Sequence, residues 1–202
     1  MGKWSWVGPA AVGFVIGAII FSSKKQTDYL DISKRITPYD PEVRTKAIQI
    51  VKKSSEYCLS QLFDIFDYMH NLKYVSDPHP DYIALPRDTL KAGGGDCDDF
   101  AVTTSSLVKA IGGEARVVTV NNSESGHAFC EVLVSSQMDD VLKGIRDRYN
   151  NSFTIGWETD NHGNWLLFDT LLPLPGCLHS NFIILHNDTW KFTNPPKYFY
   201  QI

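Results

Sequence analysis

The sequence predicts an α+β protein, with helices first and strands after them. Two observations carry this. Up to Ile111 the apolar residues recur mainly at helical spacing, and from Glu114 to Asp169 the period changes to the alternation of strands. A third feature sits just before that change. The run Gly93-Gly94-Gly95-Asp96-Cys97-Asp98-Asp99-Phe100-Ala101 reads as a flexible glycine turn that delivers one cysteine to the first turn of a helix.

The elements follow in order. From Trp4 to Phe21 no residue is charged, and these 18 residues as a helix would rise about 27 Å, close to the hydrocarbon thickness of a bilayer. Trp4 and Trp6 at one end and Lys24-Lys25 at the other suit interfacial anchors. No small-x-small cleavage site follows near Ile20 to Ser23, so residues 1–23 are expected to be an uncleaved single-span anchor. Gly13 and Gly17 offer it a weak helix-dimer face. Lys24, Lys25, Lys34 and Arg35 outnumber the cationic groups on the other flank, which leans the remaining chain towards the cytoplasm. Residues 24–40 read as a juxtamembrane linker, and 41–202 as one folded domain.

Asp40-Pro41-Glu42 opens a helix, with Asp as cap and Pro in the first turn. Val43, Ala47, Ile48, Val51, Leu59, Leu62, Phe63, Ile65, Phe66 and Met69 continue the pattern as two helices or one bent helix. His70 ends this stretch and receives no catalytic role. Tyr74 to Pro86 is a proline-marked surface loop, and Arg87 to Lys91 a short helical turn. The helix from Cys97 carries Phe100, Ala101, Leu107, Val108 and Ile111, and Gly112-Gly113 stops it. Strands are expected at Glu114–Val120 and His127–Val134. The second would put Ala128, Cys130, Val132 and Val134 on one face and His127, Phe129, Glu131 and Leu133 on the other. Ser136 to Asn150 is a polar helix of weak amphipathicity. Ser152–Trp157 and Asn164–Asp169 are strands joined by a turn at Asp160-Asn161-His162-Gly163, and a short strand is placed at Phe182–Leu185.

Apolar content of 43% and aromatic content of 12% fit a folded chain. A net charge of −4, with no basic patch among aromatics, argues against a nucleic-acid partner. The four cysteines form no CxxC pair, so neither a structural zinc site nor a disulfide framework is indicated. No cofactor is expected.

Chemistry on an acyl carbon by a thiol needs a histidine to take the proton and a carboxylate to orient the imidazole. Cys97 at a helix start, His127 at a strand start and Asp169 at a strand end offer that set. The helix N-terminus favours the thiolate, and the Cys97 N–H is a ready oxyanion donor. Against this, Asp96, Asp98 and Asp99 are anions that disfavour a thiolate. His162, His179 and His186 read as loop or edge residues without metal-ligand spacing, and the aspartates lack a twelve-residue calcium pattern.

Gly95-Asp96-Cys97-Asp98-Asp99-Phe100-Ala101, Gly126-His127-Ala128-Phe129-Cys130-Glu131-Val132 and Trp165-Leu166-Leu167-Phe168-Asp169-Thr170 resemble the three motifs of the transglutaminase-like superfamily. Leu85-Pro86-Arg87-Asp88-Thr89-Leu90 is similar to that family's approach to its cysteine. The resemblance covers roughly residues 41 to 170. It implies a papain-like core, with a cysteine helix packed on an antiparallel sheet that carries His and Asp on adjacent strands. It implies Cys97 as nucleophile, His127 as base and Asp169 as orienter, with Trp165 and Phe129 sheltering the site and Asp99 at an acidic position common in the family. The chain is too short for the added domains of large calcium-dependent transglutaminases, and it lacks the paired CxxC motifs of the deglycosylating branch. Small members point to hydrolysis of a peptide or isopeptide amide in a protein or peptide substrate. The alternatives are protein crosslinking by acyl transfer and a non-catalytic binding module on the same fold.

Overall fold

The computed structural model describes residues 32–51, 56–76, 82–121, 126–150, 154–177 and 199–201. The chain divides into two units, Met1–Lys34 and Arg35–Ile202, and the second holds the elements below. Among the described residues no helix is long and apolar enough to cross a membrane. The stretch 4–21, with Gly13 and Gly17, lies outside them, as do His179, His186 and the strand expected at 182–185.

Helix α1 (Pro41–Val51) starts as its sequence dictates: the Asp40 carboxylate accepts the N–H groups of Glu42 (2.9 Å) and Val43 (3.4 Å). Helix α2 (Leu59–His70) follows as a separate element, and the Gln61 side chain reaches back to the Cys58 N–H at 3.0 Å. A two-residue strand β1 (Lys73–Tyr74), helix α3 (Pro86–Ala92) and a second short strand β2 (Gly94–Gly95) lead into helix α4 (Cys97–Ala110).

Helix α4 is the centre of the fold. Its apolar stripe accounts for only one face, yet Thr103, Thr104, Ser105 and Ser106 are buried as well. The helix is covered on several sides at once: α1, α2 and α3 pack on it, and so do strands β3 (Ala115–Asn121) and β4 (Gly126–Val134). Small hydroxyl side chains let these neighbours approach closely. Two of the hydroxyls find local partners, Ser106 donating to the Val102 carbonyl (2.7 Å) and Ser105 to the Cys130 sulfur (3.3 Å). Burying Leu107 and Val108 completely contributes about 1.5–3 kcal/mol each.

Strand β5 (Thr154–Asp160) and strand β6 (Gly163–Phe168) complete a four-stranded antiparallel sheet in the order β3-β4-β6-β5, and a short segment β7 (Phe199–Gln201) pairs with β5. Both strand pairs were expected, with ends displaced by a residue or a few. The face of β4 bearing Cys130, Val132 and Val134 joins the helical core. Helix α5 (Met138–Tyr149) corrects the expectation of weak amphipathicity. Val141, Leu142 and Ile145 form a buried face, Gly144 lies where a Cβ would be 2.7 Å from Leu59, and Arg148 binds Asp64 at 2.8 Å. Its polar composition had hidden a narrow apolar face.

Candidate active site

The glycine run turns out to be packed rather than flexible. Gly93, in the left-handed region at φ 68°, closes α3 by donating to the Thr89 carbonyl. Gly94 and Gly95 are buried in β2, where added Cβ atoms would stand 2.4 Å from the Lys73 carbonyl oxygen and 2.7 Å from the Asp99 carboxylate. These glycines therefore serve close packing. They let β1 and the Asp99 carboxylate close on the backbone that carries the Cys97 sulfur.

Asp96 caps α4 in an extended conformation, and half-buried Cys97 is the first helical residue. Its N–H belongs to the helix turn that has no intrahelical acceptor. Asp99 is buried. Its carboxylate accepts the Ala84 N–H (2.7 Å) and the Asp96 N–H (3.4 Å), which fastens the segment before α3 to the start of α4. Asp98 is pushed up to about 8, by burial first and then by its hydrogen bond to Asp96 and the charges of Asp96 and Asp99. Near neutral pH Asp98 keeps its proton and shares it with Asp96. That answers the electrostatic objection in part, since one of three expected anions beside the sulfur is absent. The Asp96, Asp98 and Asp99 oxygens lie within 4.8 Å of one another.

Strand β4 and the end of β6 bring in the other two groups. Cys130 faces Phe168 across the ladder, so His127 and Asp169 emerge at the same end of adjacent strands. His127 Nε2 and the Asp169 carboxylate are 2.7 Å apart, with the imidazole donating, and the ring also hydrogen-bonds Cys97. With Nε2 committed to Asp169, Nδ1 is the nitrogen left for the thiol. Burial pulls the imidazole pKa down, but the hydrogen bonds to Asp169 and Cys97 and their charges outweigh it and raise it to about 9. The Phe129 ring stacks on His127 with centroids 6.0 Å apart, as expected of a sheltering residue.

Asp169 is itself held. Its second oxygen accepts the Leu171 N–H at 3.0 Å, and His70 Nδ1 lies 3.0 Å from the Thr170 carbonyl. His70, read as a helix-end residue, thus anchors the backbone beside the carboxylate. Trp165 does not shelter the site. It pairs with Leu133, six residues along β4 from His127 or roughly 20 Å, and lies under the Arg116 guanidinium at 4.2 Å. Arg116 also binds the buried Glu131 at 2.7 Å, a contact the sequence reading missed because it depends on strand register. His162 is exposed at the β5–β6 turn beside Asp160. The surface hollows on the helical side, one lined by Lys46, Asp64 and Arg148 and the other by Glu42, Arg87 and Lys91, hold neither cysteine nor histidine.

A thiol at a helix N-terminus, an imidazole that holds its proton and a buried carboxylate together equip this site for nucleophilic attack on an acyl carbon. A family profile described as the transglutaminase-like superfamily matches residues 44–169. Among solved structures, one described as "a Putative Cysteine Protease from Cytophaga hutchinsonii" is similar, with 20% identity and a TM-score of 0.45 over 73% of this chain. The match spans 46% of that longer protein, so this chain corresponds to less than half of its length. No curated protein shows a significant match.

Proposed function

Because the chain belongs to the transglutaminase-like superfamily, we propose that it is a thiol hydrolase that cleaves a peptide or isopeptide amide through a thioester on Cys97. The observation that carries the reading is the chain of contacts from Cys97 to His127 to Asp169, in which His127 holds a proton it can deliver. The Cys97 proton already resides on His127 Nδ1, the two groups forming a thiolate–imidazolium pair, and the thiolate adds to the amide carbonyl. The oxyanion that forms meets the Cys97 N–H at the positive end of α4. The imidazolium gives its proton to the departing amine, leaving the acyl group on sulfur. Water then attacks the thioester with His127 taking its proton, and the acid leaves as Cys97 is restored.

Acyl transfer to an amine passes through the same thioester, and the choice lies in what resolves it. A transferase must hold its amine at high effective concentration to outcompete water. Cys97 is only half-buried among the described residues, so water can reach the thioester, which favours hydrolysis. The test supplies glutamine-containing and isopeptide-linked peptides together with a primary amine in millimolar excess. Mass spectrometry should find free acid and released amine as the main products. Dominant incorporation of the added amine would replace this reading with crosslinking, and no turnover of any kind would favour the binding module.

The apolar stretch 4–21 extends the proposal to a membrane-bound enzyme. Full-length protein is expected to sediment with membranes in carbonate. Recovery in the soluble fraction would remove the anchor from the reading.

A further inference from the structure

Strand β1 uses only one of its edges within the described structure. The Lys73 N–H donates to the Gly93 carbonyl (3.1 Å) and the Val75 N–H to the Gly95 carbonyl (2.8 Å), so both point towards β2. Backbone groups alternate in direction along a strand, which turns the N–H and C=O of Tyr74 to the opposite edge. Among the described residues no strand pairs with that edge. The edge is close to the chemistry. Tyr74 lies opposite Gly95, one strand spacing of about 4.8 Å across and two residues back from Cys97. Its phenol is within electrostatic reach of the Cys97 sulfur.

The side chains around this edge are unusual for the surface. Five large apolar residues stand out as exposed among those described, and three belong here: Tyr74 (54%), Val75 (54%) and Tyr82 (51%). Tyr82 is two residues before Ala84, whose N–H is fixed to Asp99 at the start of α4. Unsatisfied backbone groups flanked by exposed apolar side chains are what a strand-shaped ligand recognises: main-chain hydrogen bonds supply affinity and the side chains select. Neither feature helps the fold. The edge is also only two residues long, short enough to limit indiscriminate pairing between copies.

We infer that the edge of β1 left unpaired by the described strands receives the substrate as an extended polypeptide, which pairs with the Tyr74 backbone and lays apolar side chains on Tyr74 and Val75. This rests on Cys97 being the nucleophile, and it narrows the substrate class from any accessible amide to one within, or at the end of, an extended segment. A lone glutamine side chain on a folded surface would not fill this edge.

The probes are two acyloxymethyl ketones that alkylate an active-site thiol. One carries a single acetylated residue and the other an acetylated tetrapeptide of apolar residues, and labelling of Cys97 in the full-length protein is followed by mass spectrometry. The tetrapeptide probe should label at least about tenfold faster, the yield of one or two backbone hydrogen bonds with their apolar contacts. Methylating its backbone amides one at a time should erase most of that advantage at one position, a readout that needs no variant. Tyr74→Pro should lower the ratio of tetrapeptide to single-residue labelling towards one. The Tyr74 N–H makes no bond to β2, so proline removes a donor that strand pairing does not use. Tyr74→Phe should keep the ratio. Equal rates for the two wild-type probes, or a length advantage indifferent to both N-methylation and Tyr74→Pro, would overturn the inference while labelling of Cys97 by iodoacetamide left the nucleophile standing. Failure of Cys97 to react with any of the three reagents would bring down the hydrolase reading and this inference with it.

Discussion

Cys97→Ala should lower amide turnover by at least about 10⁴-fold, because no other group near the site can carry the acyl intermediate. The fold should survive. The side chain is half-buried, and its loss at the surface end of α4 should cost under about 1 kcal/mol by urea denaturation. Cys130 is the matched control. It is fully buried, bonded to Ser105, and pushed up to about 12, chiefly by burial. Cys130→Ala should therefore keep wild-type turnover, and in the folded protein iodoacetamide should reach Cys97 first. An alanine variant at Cys97 that kept a rate within tenfold of wild type would end the assignment, whatever Cys130 did.

That residues 97, 127 and 169 come together could be expected from sequence because each marks a change of local structure. A helix start, a strand start and a strand end are visible in periodicity, and chemistry then selects among the residues that occupy them. What depended on packing between distant segments was less visible. The glycine run looked like a flexible turn, since nothing within it reveals that Lys73 and the Asp99 side chain crowd two of its members. His70 looked idle because its partner, the Thr170 carbonyl, is 100 residues away. Trp165 was placed at the site only by the family resemblance, as an aromatic in the motif that contains Asp169. Strand geometry carries four residues about 13 Å, and the pairing with Leu133 puts its ring at the far end of the sheet.

The same distinction separates the two acidic neighbours of Cys97. Asp98 and Asp99 look equivalent in sequence, as anions suited to a helix N-terminus. In the structure Asp99 is buried and its carboxylate accepts two backbone N–H groups. Asp98 finds mainly another carboxyl group and keeps its proton to about pH 8. Above that value its ionisation adds a negative charge one residue along the helix from Cys97, which disfavours the thiolate.

His127→Ala should slow alkylation of Cys97 at pH 7 by about 10²-fold and remove detectable turnover, because the variant loses the cation that stabilises the thiolate and the group that delivers a proton to the leaving amine. Asp169→Ala should cost less than His127→Ala in alkylation and still two or more orders of magnitude, about 10²- to 10⁴-fold, in turnover, since it orients the imidazole without transferring the proton. The pH dependence follows from the shift of His127 above its ordinary value of 6.5 to about 9. Folding takes up a proton at this residue across that interval, so its stabilising contribution is complete below about pH 6.5 and is lost as pH rises through about 9. The general-acid step has the same sign: turnover should fall towards pH 9 and above as the imidazolium that protonates the leaving amine disappears. In urea titrations the stability difference between wild type and His127→Ala should shrink between pH 6.5 and 10. A difference that stayed constant across that range, together with unchanged alkylation of Cys97 in the variant, would show that His127 neither holds a proton for the thiol nor helps to release one.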